Sequence, residues 1–444
     1  LNCGCHISKQ QGNMNIQLLA AALLLSSTVA TAQEQTTFKS NVHIGLSYPL
    51  STNGLKACQY SNRVSFHALA GLSCQEEAFC ASGVASIITQ SANGMVTSGV
   101  VNIIGGNITG LAAAGVYNYT AGNVRGMQAA GVLNTAKAVS GVQAAGIANV
   151  ATNGVNGAQL AGFVNITDTT HAQVSGFANI AYRSDVQAGG GLNIADSANV
   201  QIAGFINIAE KSDAQVSGFI NIADKSNAQV AGFINIADEV RGSQVAGFIN
   251  VARKVTGVQI AGFINIADSS DCPIGIINLI GNGEQAFGIS VNEIGTSLAT
   301  FRSGGSKLYG IVGIGGNFTD NYEAFAIQAG MGMHVPVSRS FRFNTEVTVT
   351  SLSDRRYNTD LRSSFKVMPA VQLGRLELYA GPTFSYTTTS DNQGLGRVGY
   401  SLWSKDGYYQ SQDISIGFET GIQYHINSKK VLKKVFSEKK AENE

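Results

Sequence analysis

Residues 201–267 read QIAGFINIAEKSDA (201–214), QVSGFINIADKSNA (215–228), QVAGFINIADEVRGS (229–243), QVAGFINVARKVTGV (244–258) and QIAGFINIA (259–267). The frame is Gln-x-x-Gly-x-x-Asn. Ten copies match it in full, with Gln at 128, 143, 159, 173, 187, 201, 215, 229, 244 and 259. Copies lie 14 residues apart in the middle of the array and 15 or 16 apart toward its ends. Looser copies flank them at Gly83, Gly99–Asn102, Gly115–Asn118 and Gly275–Asn278. A fixed short period marks a supersecondary unit that is stacked or repeated, because one unit cannot bury its own face. Helix is excluded, since Gly recurs in mid-segment among β-branched residues.

Two packings suit the frame. In a parallel β-solenoid each copy is one coil, and equivalent residues stack about 4.8 Å apart. Gln201, Gln215 and Gln229 then form one side-chain ladder, and Asn207, Asn221 and Asn235 another. Phe205, Phe219 and Phe233 form an aromatic stack, Gly204, Gly218 and Gly232 mark the bend, and Val, Ile and Ala fill a narrow core. In an antiparallel meander each copy is instead one strand of a large barrel. The solenoid is preferred for two reasons. The copies show no odd/even alternation, whereas a barrel's natural period is the hairpin. The face carrying Gln, Ala, Phe and Asn has no charge in any full copy, which suits packed ladders better than a wet lumen.

The totals fit this class. Charged residues are 13% of 444 and Gly numbers 52, the composition of extensively buried β-structure and not of disorder. A net charge of +1 gives no field to recruit nucleic acid. Residues 14–32, MNIQLLAAALLLSSTVATA, resemble a secretory signal peptide, with a short apolar run and an Ala30-Thr31-Ala32 cleavage site. Residues 1–13 are then a mis-assigned start or an upstream extension. Export permits disulfides among Cys58, Cys74, Cys80 and Cys272, and the sequence leaves their pairing open.

Residues 33–80 read as N-terminal strands, 81–283 as the repeats and 284–305 as a transition. Residues 306–427 alternate in the manner of amphipathic antiparallel strands with aromatics near their ends, the pattern of an outer-membrane-type barrel. Residues 428–444 are a basic, solvated tail. The expected fold is therefore all-β: a repeat array, solenoid or meander, followed by an antiparallel barrel-like domain.

Taken together, GVQIAGFINIA (257–267), YPLSTNG (48–54), SFHALAG (65–71) and PIGIINLIGNG (273–283) resemble a family of Gram-negative bacterial surface-repeat proteins built of tandem G-x-Q-x-A-G-[FL]-x-N-[IV]-A units. The resemblance spans about residues 42–427. It implies an exported protein associated with the outer membrane, and it carries over no catalytic residue, because that family is defined by architecture.

Candidate sites are few. Three residues after successive Asn lie Asp196, Glu210, Asp224 and Asp238, which as stacked carboxylates are weak calcium candidates. Tyr182 and Arg253 break that column, and Asp is a favoured turn residue, so turn chemistry is the preferred role. The Phe column reads as packing, in the core or against a neighbouring chain, and as a sugar- or lipid-contacting stripe if it faces out. GIVGIGGNF (310–318) lacks the Lys-Ser/Thr and helix of a phosphate loop. No cofactor, zinc site or enzyme activity is expected. A polysaccharide-active β-helix needs two carboxylates facing one cleft, and the strand faces offer none. The expected function is a non-enzymatic cell-envelope protein, adhesive or structural. Its expected partners are outer-membrane lipid, and surface glycans or host and envelope proteins. The alternative is a pore or transport barrel with the repeats as wall strands. Oligomeric state is not legible.

Overall fold

In a computed structural model, residues 38–305, 307–319, 322–354, 359–389, 400–407 and 410–426 are described. The expected signal peptide and basic tail lie outside them. The protein is all-β, a parallel β-solenoid of about 15 turns with a closed antiparallel barrel of eight strands. It divides into two compact units, residues 2–225 and 226–444.

In the first unit, Phe38–Ser47 pairs in parallel with Tyr60–Ser73, so the strands expected to precede the array are its first coils. Later coils stack in strict register, with Asn193 beside Asn207 and Gln201 beside Gln215. The parallel register excludes the meander. One coil consists of the strand Ile206–Ser217 and the Gly218–Phe219 corner. Between its two faces the chain bends at Glu210 and Asp213. Ladder partners there jump from Ala209 to Lys211 and from Ser212 to Ala214. The charged segment EKSDA, expected as a turn, therefore continues the strand: each residue of a coil can bond to the coils on either side, so a corner needs no loop.

Alternation within the strand sends Asn207, Ala209, Ser212, Gln215 and Ser217 inward, and Ile206, Ile208, Val216 and Phe219 outward. This corrects the expected core. Ala is inside as anticipated, but Val and Ile fill the interior only in earlier coils, such as Ile104, Val124 and Val139, and at Val240, Val255 and Ile280 in the second unit. The coil is flat, about one side chain thick, so small residues and planar amides fill it and bulkier side chains face out. The same closeness explains the Gly column. A Cβ on Gly204 would collide with the carbonyl oxygen of Gly190, and one on Gly218 with that of Gly204.

The second unit begins with coils of the same kind, Ile234–Ala246, Ile249–Ala261, Ile264–Ile274 and Ile277–Ile280. Residues 284–305, expected as a transition, are two strands of the barrel, Glu284–Asn292 and Thr296–Gly304. Six more follow: Leu308–Thr319, Tyr322–Pro336, Phe341–Asp354, Thr359–Leu373, Leu376–Thr389 and Ser411–Ile426. The last pairs with the first from Gln285↔Ile426 to Asn292↔Glu419, which closes the barrel. Along its other half it pairs with a short strand, Tyr400–Asp406. The array ends against this barrel. Asn278, the last rung of its ladder, donates its backbone N–H to Ser303 Oγ at 2.9 Å and its side-chain amide to the Ser303 carbonyl at 3.1 Å.

Candidate functional site

Three arrangements of polar side chains carry the chemistry of this protein. The first is the pair of amide ladders. Asn207 donates from Nδ2 to Asn221 Oδ1 at 3.0 Å and, across the thin core, to the Val216 carbonyl at 2.7 Å. Gln215 donates from Nε2 to Gln201 Oε1 at 2.8 Å and to the Ile222 carbonyl on the opposite face at 3.1 Å. In the second unit Asn235 bonds Asn250 at 3.0 Å and Gln244 bonds Gln229 at 2.9 Å. Each Asn donates toward the following coil and each Gln toward the preceding one, so the two ladders run with opposite polarity. Their acceptor ends are orphaned at Asn102 Oδ1 and Gln259 Oε1, where the Gln column meets Pro273. The ladder residues anticipated from sequence are thus buried and structural.

The Phe column stacks as anticipated, with ring centroids 4.9 Å apart for Phe163–Phe177 and 5.0 Å for Phe233–Phe248. It stands on the outer edge of the coil, and Phe205 is 64% exposed. The core role is thereby excluded. The acidic column lies in strand corners. Burial, and then the neighbouring Glu210, raise the Asp196 carboxyl above its ordinary value, and Arg253 approaches Asp238 at 3.5 Å. Among the described residues, no group of three or more His, Cys, Asp or Glu side chains is placed to hold a metal ion. Cys58, Cys74, Cys80 and Cys272 are free thiols.

The second arrangement, missed from sequence, is a polar groove of about 580 Å³ on the charged corner of the first unit. Asn123, Arg125, Ser140, Asn156, His171 and Arg183 line it. His171 is held between Asn156 Oδ1 at 3.1 Å and Asp185 Oδ2 at 2.7 Å, and Asn199 donates to Asp185 Oδ1 at 3.1 Å. The groove spans the change from copies 15 and 16 residues apart to copies 14 residues apart. The extra residues are taken up in the corner by Gly126, Gly141 and Gly157, with φ of 123°, 135° and 143°, a region that side chains avoid. That departure from the 14-residue period was the available signal.

The third is the barrel interior. Arg302 Nε pairs with Glu346 at 2.8 Å, and Tyr309 donates to the same carboxylate at 2.9 Å. Glu377 accepts from Arg342 at 2.6 Å, Asn344 at 2.6 Å and His425 at 2.9 Å. Lys366 pairs with Glu419 at 2.6 Å and Arg362 with Glu293. The outer wall is apolar, with Phe287, Ile289, Phe325, Ile327, Phe365, Leu378 and Phe384 all exposed. Charges on alternate residues of apolar strands, as in FRFNTEVT (341–348), were the sequence trace of this interior. No protein-family model, curated protein or solved structure matches the chain.

Proposed function

We propose that this is an exported, non-enzymatic protein of the bacterial outer membrane, in which the barrel is the membrane anchor and the solenoid the displayed module, with an adhesive or structural role. The carrying observation is the inverted barrel: Arg302, Arg342, Glu346, Lys366 and Glu377 are buried inside while large apolar side chains face outward. A soluble barrel has the opposite polarity; a lipid-embedded one has this. An interior crossed by ion pairs in an eight-stranded barrel leaves side chains filling the lumen, which argues against conduction. The parallel coils also supply no wall strands to a pore.

The groove on the charged corner suits a polar, hydroxyl-rich partner such as a surface glycan, because it offers amides, hydroxyls, a carboxylate, two guanidiniums and an oriented imidazole. Both imidazole nitrogens of His171 are engaged, by Asn156 Oδ1 and Asp185 Oδ2, which supports a recognition role for this side chain. Detergent fractionation of cell envelopes tests the anchor. The protein should stay with the outer membrane after sarkosyl extraction, and its recovery as a soluble periplasmic species would defeat the proposal. Glycan-array binding that weakens in Arg183→Ala tests the displayed module.

A further inference from the structure

The solenoid shares the inversion of the barrel. Its interior holds Gln, Asn, Ser and Ala, while its outside is apolar on three sides. In each of the ten full copies, the nine residues from Gln to the position two beyond Asn carry no charge. Within them Leu160, Val174, Ile202 and Val216 are exposed on one face. Val164, Leu192, Ile206 and Ile208 point out from the opposite face. Phe163, Phe177, Phe205 and Phe219 form the edge between them. Charge is confined to the other edge, at Asp185, Asp196, Glu210, Lys211 and Asp213. Backbone groups along the sides bond to the coils on either hand, so the flanks present no unpaired strand edge, the condition for contact with hydrocarbon.

We infer that the repeat array lies edge-on in one leaflet of a lipid bilayer, with the Phe edge and both faces among the acyl chains and the charged edge at the headgroups. Dimensions favour this occupant. Four residue steps from Phe205 to Ala209 span about 13 Å, close to the roughly 15 Å of one leaflet, half of the hydrocarbon core. A second copy of the chain fits less well. Seven coils at about 4.8 Å give two opposed apolar faces of roughly 440 Å² each. A two-fold partner covers one and leaves the other, with the Phe edge, in water, more apolar surface than soluble proteins usually expose. Lipid covers all three sides at once. In this placement the groove at Arg125, His171 and Arg183 remains on the wet edge.

The inference rests on the membrane reading of the barrel, and the test separates the two. Trp403 is the sole Trp. In a Trp403→Phe background, the full chain carries one probe at a time: Phe205→Trp on the solenoid edge, Asp213→Trp on the charged edge, Phe365→Trp on the barrel wall. Each is folded into phosphatidylcholine–phosphatidylglycerol vesicles with or without acyl-brominated lipid, and acrylamide quenches from water. Phe177→Trp repeats the measurement should Phe205→Trp misfold. Bromolipid should at least halve the emission of the Phe205→Trp and Phe365→Trp probes, and acrylamide should quench Asp213→Trp several-fold more than either. Acrylamide quenching of Phe205→Trp equal to that of Asp213→Trp, with Phe365→Trp still quenched by lipid, overturns the inference and leaves the barrel anchor standing. Shielding of Phe205→Trp from both quenchers shows a protein partner on that edge and also overturns it. Loss of lipid quenching at Phe365→Trp removes both readings.

Discussion

The solenoid and the barrel both enclose polar side chains, and they satisfy them by opposite means. Through its regular copies the solenoid uses neutral amides, Asn on Asn and Gln on Gln. The barrel uses opposite charges, Arg302 on Glu346 and Lys366 on Glu419. The difference follows from repetition. A parallel coil places each residue beside its own copy about 4.8 Å away. A carboxylate there meets a carboxylate, and like charges in a poorly solvated core repel strongly. A carboxamide both donates and accepts, so it can bond to its own copy in coil after coil. Neighbouring barrel strands differ in sequence, so each position can be given its complement.

Breaking one ion pair should therefore have the largest effect. Glu346→Ala leaves Arg302 and Tyr309 buried without their acceptor. Removing one partner of a buried pair typically costs about 3–5 kcal/mol. Urea unfolding of the vesicle-folded protein, followed by Trp403 emission, measures it. A loss under about 1 kcal/mol would mean that water reaches the lumen and that the barrel is open.

The first coils test what happens when titratable groups enter the solenoid core. Glu76 accepts from Ser65, Ser73 and Asn62, yet burial, its largest influence, pushes its carboxyl up to about 7. Burial, followed by His43, pulls His67 down to about 4; burial lowers His43 as well. The signs oppose. A raised carboxyl contributes stability present below its unfolded value near 4.5 and lost as pH rises through 7. A lowered imidazole contributes stability present above 6.5 and lost as pH falls through 4. The Glu76 and His67 swings are each about 3 kcal/mol at about 1.4 kcal/mol per unit and nearly cancel, so between pH 4 and 7 the wild-type coils should keep only the loss on acidification that His43 contributes. Glu76→Gln removes one arm, and the coils should then weaken by about 3 kcal/mol more on acidification across that window. Amide exchange at residues 60–82 reads this locally; a flat profile in the variant would show that His67 is hydrated.

A neutral rung should matter less. Asn207→Leu leaves the Val216 carbonyl and the Asn193 amide without their partner. Unmet buried groups cost roughly 1–3 kcal/mol, confined to adjacent coils because arrays couple to nearest neighbours. New protease cleavage near 193–221 should appear, with the barrel unaffected. Wild-type resistance would show that the coil repacks around Leu.

These contrasts bear on what the sequence disclosed. The ladders were legible, because a polar residue recurring at one phase of a short period has to meet itself. The core was misread, because hydrophobicity suggests that Val and Ile go inside, and only the two-residue alternation around Asn207 and Gln215 says otherwise. The charged corners were taken for turns because Asp and Gly mark turns in isolated strands, whereas stacked coils hydrogen-bond through their bends. The first two barrel strands escaped notice since Glu284–Asn292 and Thr296–Gly304 are short and carry few charges. The lumen pair of Arg362 and Glu293 joins residues 69 apart, a distance at which no local pattern reports. The groove was half legible, in the 15- and 16-residue spacings at its coils.

The smallest effect should come from the change that removes most residues. Deleting Gln187–Val200 takes out one 14-residue coil. In wild type Gln173 stacks on Gln187 and Gln187 on Gln201; after deletion Gln173 meets Gln201 in the same register. Both ladders close over the gap with no unpaired amide, and Phe177 comes to stack on Phe205 in place of the Gly191 that interrupts the column. Removing two coils, Gln187–Ala214, should be tolerated equally well, since parallel coils have no parity. Thermal midpoints of the two deletions should agree within a few degrees of wild type, in proportion to one or two lost nearest-neighbour interfaces. Tolerance of the double deletion with collapse of the single one would mean that strand direction alternates, and would break the parallel assignment on which the contrast between amide ladders and ion pairs depends.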